Sequence, residues 1–381
     1  MSEPDVNRLR ELARSTLKPL VAQGEPGRVN RRLVRALGEH GVLALIFPAS
    51  AEGTASGEVS ARQLCLVREA LARESAEIEN ALAIQALGAY PLLLAGAAEL
   101  IQRLVPAVVQ GSSVPAFAMT EPGAGSDARA MTTTAVHERD GFRISGEKVF
   151  ISNAPDADWY VLFASTAHPE QGHGITAFLV PGDAAGLRGT AIRLLSSHPI
   201  GRLELDGVFV PQSDVIGRLN EGFRLAMRTL DLFRPSVGAL AVGLAEAALD
   251  LAVAHAAQRI QFGRPIRDFQ AVSHSLAEMA TRLEAARLLV YDAAGTYDRG
   301  DDHIARRSAM AKLFATETAQ QVVDAAIQVV GAAALEEGHP LEHLYREVRA
   351  PRIYEGTSEI QREIIARDLF RDSRSTKPAE G

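Results

Sequence analysis

The spacing of apolar residues changes twice along this chain, and those two changes limit its fold more than any single motif does. From Asp5 to about Gln110 apolar side chains recur at helical spacing, as in Leu64, Val67 and Leu71, with breaks at Gly24-Glu25-Pro26-Gly27 and Ala51-Glu52-Gly53. From about Ser113 to Asn220 the pattern becomes short β-rich runs between turns: Phe142-Arg143-Ile144, Tyr160-Val161-Leu162-Phe163, Thr176-Ala177-Phe178-Leu179-Val180, Leu203-Glu204-Leu205 and Val208-Phe209-Val210. Helical spacing returns from Gly222 to about Phe370, in long Ala- and Leu-rich segments punctuated by Gly263-Arg264-Pro265, Arg299-Gly300-Asp301 and Gly338-His339-Pro340. A chain of 381 residues also exceeds what one hydrophobic core usually serves. We therefore expect an α+β protein with a helical domain at 1–112, a β domain at 113–221, a helical bundle at 222–371 and a polar, disordered tail at 372–381.

Charge and cysteine usage remove several function classes. The net charge of -7, with Lys and Arg scattered rather than clustered, leaves no basic footprint for nucleic acid. Cys65 is the only cysteine, which excludes a disulfide framework or a Cys-based zinc site and suits a reducing compartment; a small buried thiol is the expected role. The start, Met1-Ser2-Glu3-Pro4-Asp5, is acidic where a secretory signal needs a basic and then apolar run, so the expected location is the cytoplasm. Ala81 to Ala98 approaches the length of a membrane span, but Gln85, Gly88 and Pro91 interrupt it; two short buried helices with a break before Pro91 are expected instead.

Two segments carry chemistry. In Arg352-Ile353-Tyr354-Glu355-Gly356-Thr357-Ser358-Glu359-Ile360-Gln361 a carboxylate is followed at once by glycine and a helix start, an arrangement that can aim a base from a short turn. Ser358 and Gln361 have capping-box spacing, which offers a purely structural account of the same residues. The second segment is Met119-Thr120-Glu121-Pro122-Gly123-Ala124-Gly125-Ser126-Asp127-Ala128, whose glycines satisfy G-x-G-x-x-A. A Rossmann reading needs a helix next, whereas Met131 to Val136 is a β-branched run that predicts a strand. His339-Pro340-Leu341-Glu342-His343 matches H-x-x-E-H, but Pro340 at the first helical position would leave His339 outside the helix, so no metal site is expected.

Together the two segments resemble the signature regions of the FAD-dependent acyl-CoA dehydrogenase family, and the resemblance runs from about Gly41 to Leu369. It implies that family's fold, with an N-terminal helical domain, a β-barrel-like middle domain and a C-terminal four-helix bundle. It also implies that Glu355 takes the α-proton of an acyl thioester while the β-hydrogen leaves as hydride to flavin N5. Some relatives carry the base just before the arginine matching Arg234; Phe233 stands there, which leaves Glu355 as sole base. Flavin contacts are implied for Phe117, Met119, Thr120, Gly125 and Ser126, and for Phe150, Ile151 and Ser152, where Phe150 replaces the family's usual tryptophan. Arg259-Ile260-Gln261-Phe262-Gly263-Arg264-Pro265 resembles R-x-x-F-G-x-P, placing Arg259, Gln261 and Phe262 near the FAD pyrophosphate of a neighbouring subunit. Phe269, Gln270, Thr357 and Glu359 match further cofactor positions, as do Gln328 and Gly331, although Ala332 and Ala334 replace glycines of the family's Q-x-x-G-G-x-G. Substrate contacts are implied for Ser126, Asp231, Arg234, Tyr354 and Gly356; an ion pair three residues apart on one helix is the simpler account of Asp231 and Arg234.

The resemblance further implies a homodimer or homotetramer, an acyl-CoA substrate and an electron-transfer flavoprotein as acceptor. Alternatives are an acyl-CoA oxidase, a dehydrogenase acting on carrier-protein-tethered acyl groups, and a non-catalytic flavin-binding protein. Ser196-Ser197-His198-Pro199 lacks the G-x-R-x-S-like pattern common in relatives.

Overall fold

The structure, a computed structural model, describes residues 4–54, 59–166 and 174–375. The first third is helical: α1 (Val6–Leu12), α2 (Lys18–Val21), α3 (Arg31–Glu39), α4 (Ala61–Glu74), α5 (Ala76–Ala95) and α6 (Ala98–Val109). Strands follow as β1 (Pro115–Ala118), β2 (Thr134–Glu138), β3 (Gly141–Ser152), β4 (Trp159–Ser165), β5 (Ile175–Pro181), β6 (Leu187–Ala191), β7 (Ile200–Pro211) and β8 (Val215–Ile216). The remainder is α7 (Gly222–Gln258), a hairpin of β9 (Ile260–Gln261) and β10 (Arg264–Pro265), then α8 (Gln270–Arg299), α9 (Ile304–Val330), α10 (Pro340–Glu347) and α11 (Ser358–Ser375). Local chemistry sets several ends. Asn30 and Ser60 cap α3 and α4 by accepting from the Leu33 and Gln63 amides, and α8 stops at Gly300, which takes the left-handed φ of 66°.

The backbone packs as two compact units, one of Met1–Pro4, Glu11–Val59 and Glu77–Leu230, the other of Asp5–Arg10, Ser60–Ala76 and Asp231–Gly381. In the first, the strands pair in the order β6-β7-β3-β2-β4-β5-β8, with β1 parallel to β4. β4 and β5 are buried along almost their whole length and place Tyr160, Phe163 and Phe178 in the core. The runs Leu203–Leu205 and Val208–Val210, expected as separate strands, belong to the single strand β7. A register shift against β3, where Asp206 and Gly207 stand opposite Ser145 alone, absorbs the one extra residue, so pairing resumes on both sides of Asp206-Gly207.

α5 corrects a second expectation. It is one helix of 20 residues with Pro91 inside it, not two helices broken there. Proline costs one backbone hydrogen bond and a clash, about 3 kcal/mol. Burial of Leu82, Ile84, Ala86, Ala89, Tyr90 and Leu92 offsets that loss. α5 and α7 are long and apolar enough to cross a bilayer, but 67% and 61% of their apolar windows are buried within the protein, as core helices are.

In the second unit α8 and α9 run back along each other, α10 and α11 pack on α9, and α4 packs on α8. α7 approaches α4 closely at Gly243, where a Cβ would sit 2.5 Å from the Glu69 carbonyl oxygen. α4 thus belongs with the C-terminal helices, although the sequence places it in the N-terminal third. α11 continues through Ser375, so the expected tail begins as helix; residues 376–381 lie outside the described residues.

Candidate active site

The turn between α10 and α11 is held in a conformation that its residues do not favour. Glu355 has a φ of 53° and Gly356 one of 90°. Glycine accepts this freely, whereas the left-handed region costs other L-residues about 1–2 kcal/mol. Side chains from the second unit hold the turn. The Lys312 ammonium donates to the carbonyls of Tyr354 (2.8 Å) and Gly356 (2.5 Å), and Gln361 Nε2 donates to those of Glu355 (3.2 Å) and Gly356 (2.8 Å). Glu317 accepts from the Ser358 hydroxyl at 2.6 Å and pairs with Arg352 at 2.8 Å. The capping box suggested by Ser358 and Gln361 is therefore not formed: both side chains are engaged elsewhere, and Thr357 Oγ1 caps α11 by accepting from the Ile360 amide at 3.3 Å.

The Glu355 carboxylate is poised between opposing forces. Its Oε2 is buried and has no hydrogen-bond partner among the described residues, although the residue as a whole is half-buried. Burial raises its pKa above the usual carboxylate range, against the pull of three cations, Arg68 on α4, Lys312 on α9 and Arg234 on α7. Arg234, 4% exposed, pairs with Asp231 at 3.0 Å, and its own Nε has no partner among the described residues. Burial likewise lowers the Lys312 ammonium pKa to about 8, with Glu355 the main opposing influence. Arg68, Arg234 and Lys312 lie among the carboxylates of Glu355, Asp231 and Glu317, so the buried Glu355 carboxylate is not left without opposite charge.

α7 is shaped for this cluster. Pro235 has no N–H to offer the Asp231 carbonyl four residues back, and the Ser308 hydroxyl of α9 fills that place at 3.0 Å. Arg68 donates to Ser236 Oγ at 2.6 Å, and that hydroxyl donates to the Phe233 carbonyl at 2.7 Å. Phe233 itself is buried and offers no base. Asp231, Arg234, Tyr354, Glu355 and Gly356, all singled out from sequence, thus come together. Lys312 and Arg68 were missed because neither lies in a motif. A signal existed for both: Lys312 interrupts the small, buried stripe of Ser308, Ala315 and Ala319 on α9, and Arg68 the apolar stripe of Leu64, Cys65 and Leu71 on α4. Burial also pushes the Cys65 thiol pKa up, the opposite of what a nucleophile needs.

In the first unit a second group of candidate residues is organised by one buried ion pair. Lys148 on β3 meets Glu121 at 2.7 Å and donates to the Met119 carbonyl at 3.0 Å. The Val149 amide donates to the Thr120 carbonyl at 2.9 Å, so the loop after β1 is tied to β3 just before Phe150. Phe150 has a φ of 56° and lies where β3 shifts register, and its ring is 55% exposed. Ile151 is buried, and Ser152 Oγ lies 2.7 Å from His198 Nε2. That contact gives the atypical Ser196–Pro199 stretch a structural role. Phe117 packs on Phe163, while Gly125 and Ser126 are exposed; a Cβ at Gly125 would meet open space.

The hairpin after α7 forms a cluster of its own. Phe262 and Gly263 both take positive φ (53° and 82°), the pattern of a tight β-turn, and Phe262 is 93% exposed. Phe262 meets Phe269 edge-on, and Arg264 stacks over Phe269 at 4.1 Å. Arg259, Gln261 and Gln270 are exposed, and Arg259 has no ion-pair partner among the described residues. At the end of α9, Gln328 is exposed and Gly331 has φ 80° and ψ -152°, which only glycine adopts without strain; Thr357 and Glu359 open α11, with Glu359 exposed. His339 is the N-cap of α10, its Nδ1 accepting from the Leu341 amide at 3.1 Å, which accounts for the first residue of H-x-x-E-H.

In the first unit an outward-turned aromatic ring and a glycine with open space above it suit a flat ring system such as a flavin. In the second unit an exposed arginine with no ion-pair partner among the described residues suits a phosphate group. Comparison with known proteins agrees. The family models for the N-terminal, middle and C-terminal domains of acyl-CoA dehydrogenases match residues 6–112, 116–208 and 220–370. The chain is 36% identical to cyclohexane-1-carbonyl-CoA dehydrogenase of Geobacter metallireducens, over 96% of each chain. It is 34% identical to CarC, a subunit of the caffeyl-CoA reductase-Etf complex of Acetobacterium woodii, over 95% of this chain and 97% of that one. The solved structure of butyryl-CoA dehydrogenase from Megasphaera elsdenii superposes with a TM-score of 0.90 at 32% identity, covering 97% of this chain and 99% of that one. The chain belongs to the acyl-CoA dehydrogenase family, whose members are FAD-dependent oxidoreductases.

Proposed function

We propose that Glu355 is the base that removes the α-proton when this enzyme oxidises a saturated acyl-CoA to its trans-2-enoyl product. The observation that carries the assignment is the buried Oε2 of Glu355, without a hydrogen-bond partner among the described residues and beside three cations. A desolvated carboxylate is a stronger base than one in water, and a base with a raised pKa is better matched to neutral pH. Arg68, Arg234 and Lys312 keep enough of it ionised to act. When bound, FAD supplies the two-electron acceptor for the β-hydrogen, which leaves as hydride. Phe150 would stack on the ring system, Arg259 and Gln328 would meet the phosphate and adenosine parts, and Asp231, Arg234, Tyr354 and Gly356 would border the thioester.

The test is Glu355→Gln. We expect kcat to fall by about 10²–10⁴-fold, with acyl-CoA affinity changed little; unchanged dehydrogenation would refute the assignment. The domain division 1–112, 113–221 and 222–371 is part of the same reading and is supported by the ranges of the three family models. So is a cytoplasmic homodimer or homotetramer in which the exposed Phe262 hairpin contacts a second copy. An electron-transfer flavoprotein as acceptor is supported by the complex to which the relative CarC belongs.

A further inference from the structure

We propose that Lys312 is a positioning residue: by bridging the carbonyls on either side of Glu355, it holds the turn in the left-handed conformation that aims the carboxylate. The inference rests on Glu355 being the base and adds the element that keeps it in place.

Lys312 side-chain chemistry points to this role. The residue is fully buried on α9, where an ammonium is costly, and its hydrogen bonds go to the Tyr354 and Gly356 carbonyls rather than to a carboxylate. A strained backbone persists only where its surroundings over-determine it. Here the determinants converge on three consecutive peptides. Lys312 takes the carbonyls of Tyr354 and Gly356, Gln361 takes those of Glu355 and Gly356, and Glu317, five residues along α9 from Lys312, fixes the flanking Arg352 and Ser358. Gln361 alone could satisfy one carbonyl at each of two peptides, but it cannot reach Tyr354 O at the same time, and Lys312 spans the turn from one side to the other. A neutral donor could serve the same carbonyls, with weaker hydrogen bonds than the ammonium makes. The positive charge adds a second effect, attraction to the Glu355 carboxylate, shared with Arg68 and Arg234, while Glu317 and Glu359 also draw on the Lys312 charge.

The experiment uses the holoenzyme and three variants, Lys312→Met, Lys312→Gln and Glu355→Gln. Amide hydrogen exchange is followed by mass spectrometry over a peptide spanning 350–362, beside kcat and the dissociation constant of the acyl-CoA that the parent enzyme turns over. With Lys312→Met we expect exchange in 354–358 to speed up about tenfold or more. We expect kcat to fall about 100-fold, as a misplaced catalytic group costs, with acyl-CoA affinity within about threefold. Lys312→Gln, which keeps a donor, should restore part of the exchange protection and part of kcat; it also serves if the methionine variant does not fold. Exchange and kcat at parent levels in Lys312→Met would overturn the proposal. So would faster exchange with full kcat, or lost kcat with unchanged exchange. Glu355→Gln should keep the parent's exchange while losing turnover. If it kept turnover, the base assignment would fall, while exchange in the lysine variants would still decide whether the clamp exists.

Discussion

Replacing Lys148 by methionine would expose how much the loop carrying Met119 and Thr120 depends on one buried charge. The side chains of Lys148 and Glu121 are 0% and 2% exposed. Glu121 also accepts from the Thr132 amide (2.6 Å), the Thr132 hydroxyl (2.9 Å) and the Thr133 amide (3.1 Å). Burial alone would raise its pKa, but Lys148 and the threonine donors outweigh burial and hold it at about 2, against 4.5 for an ordinary glutamate. Because the folded pKa is depressed, the ionised carboxylate stabilises the fold above pH 4.5 and loses that contribution as pH falls toward 2. At 1.36 kcal/mol per pH unit the shift corresponds to about 3 kcal/mol for Glu121 alone, and burial offsets part of it by lowering the Lys148 pKa to about 8. Lys148→Met removes the partner and leaves the carboxylate buried and unpaired, at a cost of about 3–5 kcal/mol. Urea unfolding at pH 7 should show a lower midpoint at unchanged slope, with weaker flavin retention because Met119 loses its tie to β3. The gap between parent and variant should narrow as pH falls and both carboxyls protonate. Adding Glu121→Gln should recover about 2 kcal/mol by removing the stranded charge. A Lys148→Met protein within about 1 kcal/mol of the parent at pH 7 would refute this account.

Other outcomes follow from the site. Turnover should rise with pH as Glu355, its pKa raised by burial, ionises, and decline above about 8 as Lys312 loses its proton and ceases to favour the carboxylate; Arg68 and Arg234 stay charged across this range, and a kcat–pH profile of Lys312→Met should lack the upper limb. The raised Glu355 pKa also means that its burial costs stability progressively as pH rises from 4.5 to that raised value, the opposite sense to Glu121. Ser308→Ala should lower stability by about 1–2 kcal/mol by stranding the Asp231 carbonyl, and less in a Pro235→Ala background, where the amide gained by that substitution can bond the carbonyl; equal losses in denaturant melts would argue against this pairing. Gly331→Ala should cost about 1–3 kcal/mol, because no other residue accepts φ 80° with ψ -152° without strain; an unchanged melting midpoint would count against it.

Residues bound to local backbone geometry were legible before the fold was known. Glu355-Gly356 announced a turn and Pro340 a helix start with His339 outside it, and both occur. Asp231 and Arg234, three apart on a helix, form the expected ion pair. Misreadings arose where distant packing outweighs local preference. Pro91 lies within a continuous α5 because burial on both sides of it exceeds the cost of one lost hydrogen bond, and Ser358 and Gln361 leave their capping roles for partners on α9 and in the turn.

The sequence by itself determined the succession of helical, β and helical segments and the turn that carries the Glu355 carboxylate, because spacing of 3.6 or 2 and turn chemistry are written in neighbouring residues. Only the tertiary structure decided what that carboxylate experiences. The cations that tune it come from α4, α7 and α9, and Lys312, which bonds the carbonyls of its turn, lies far back in the chain on a helix face that otherwise reads as ordinary core. Charges so far apart in the chain interact through space, with a strength set by burial that no local pattern records.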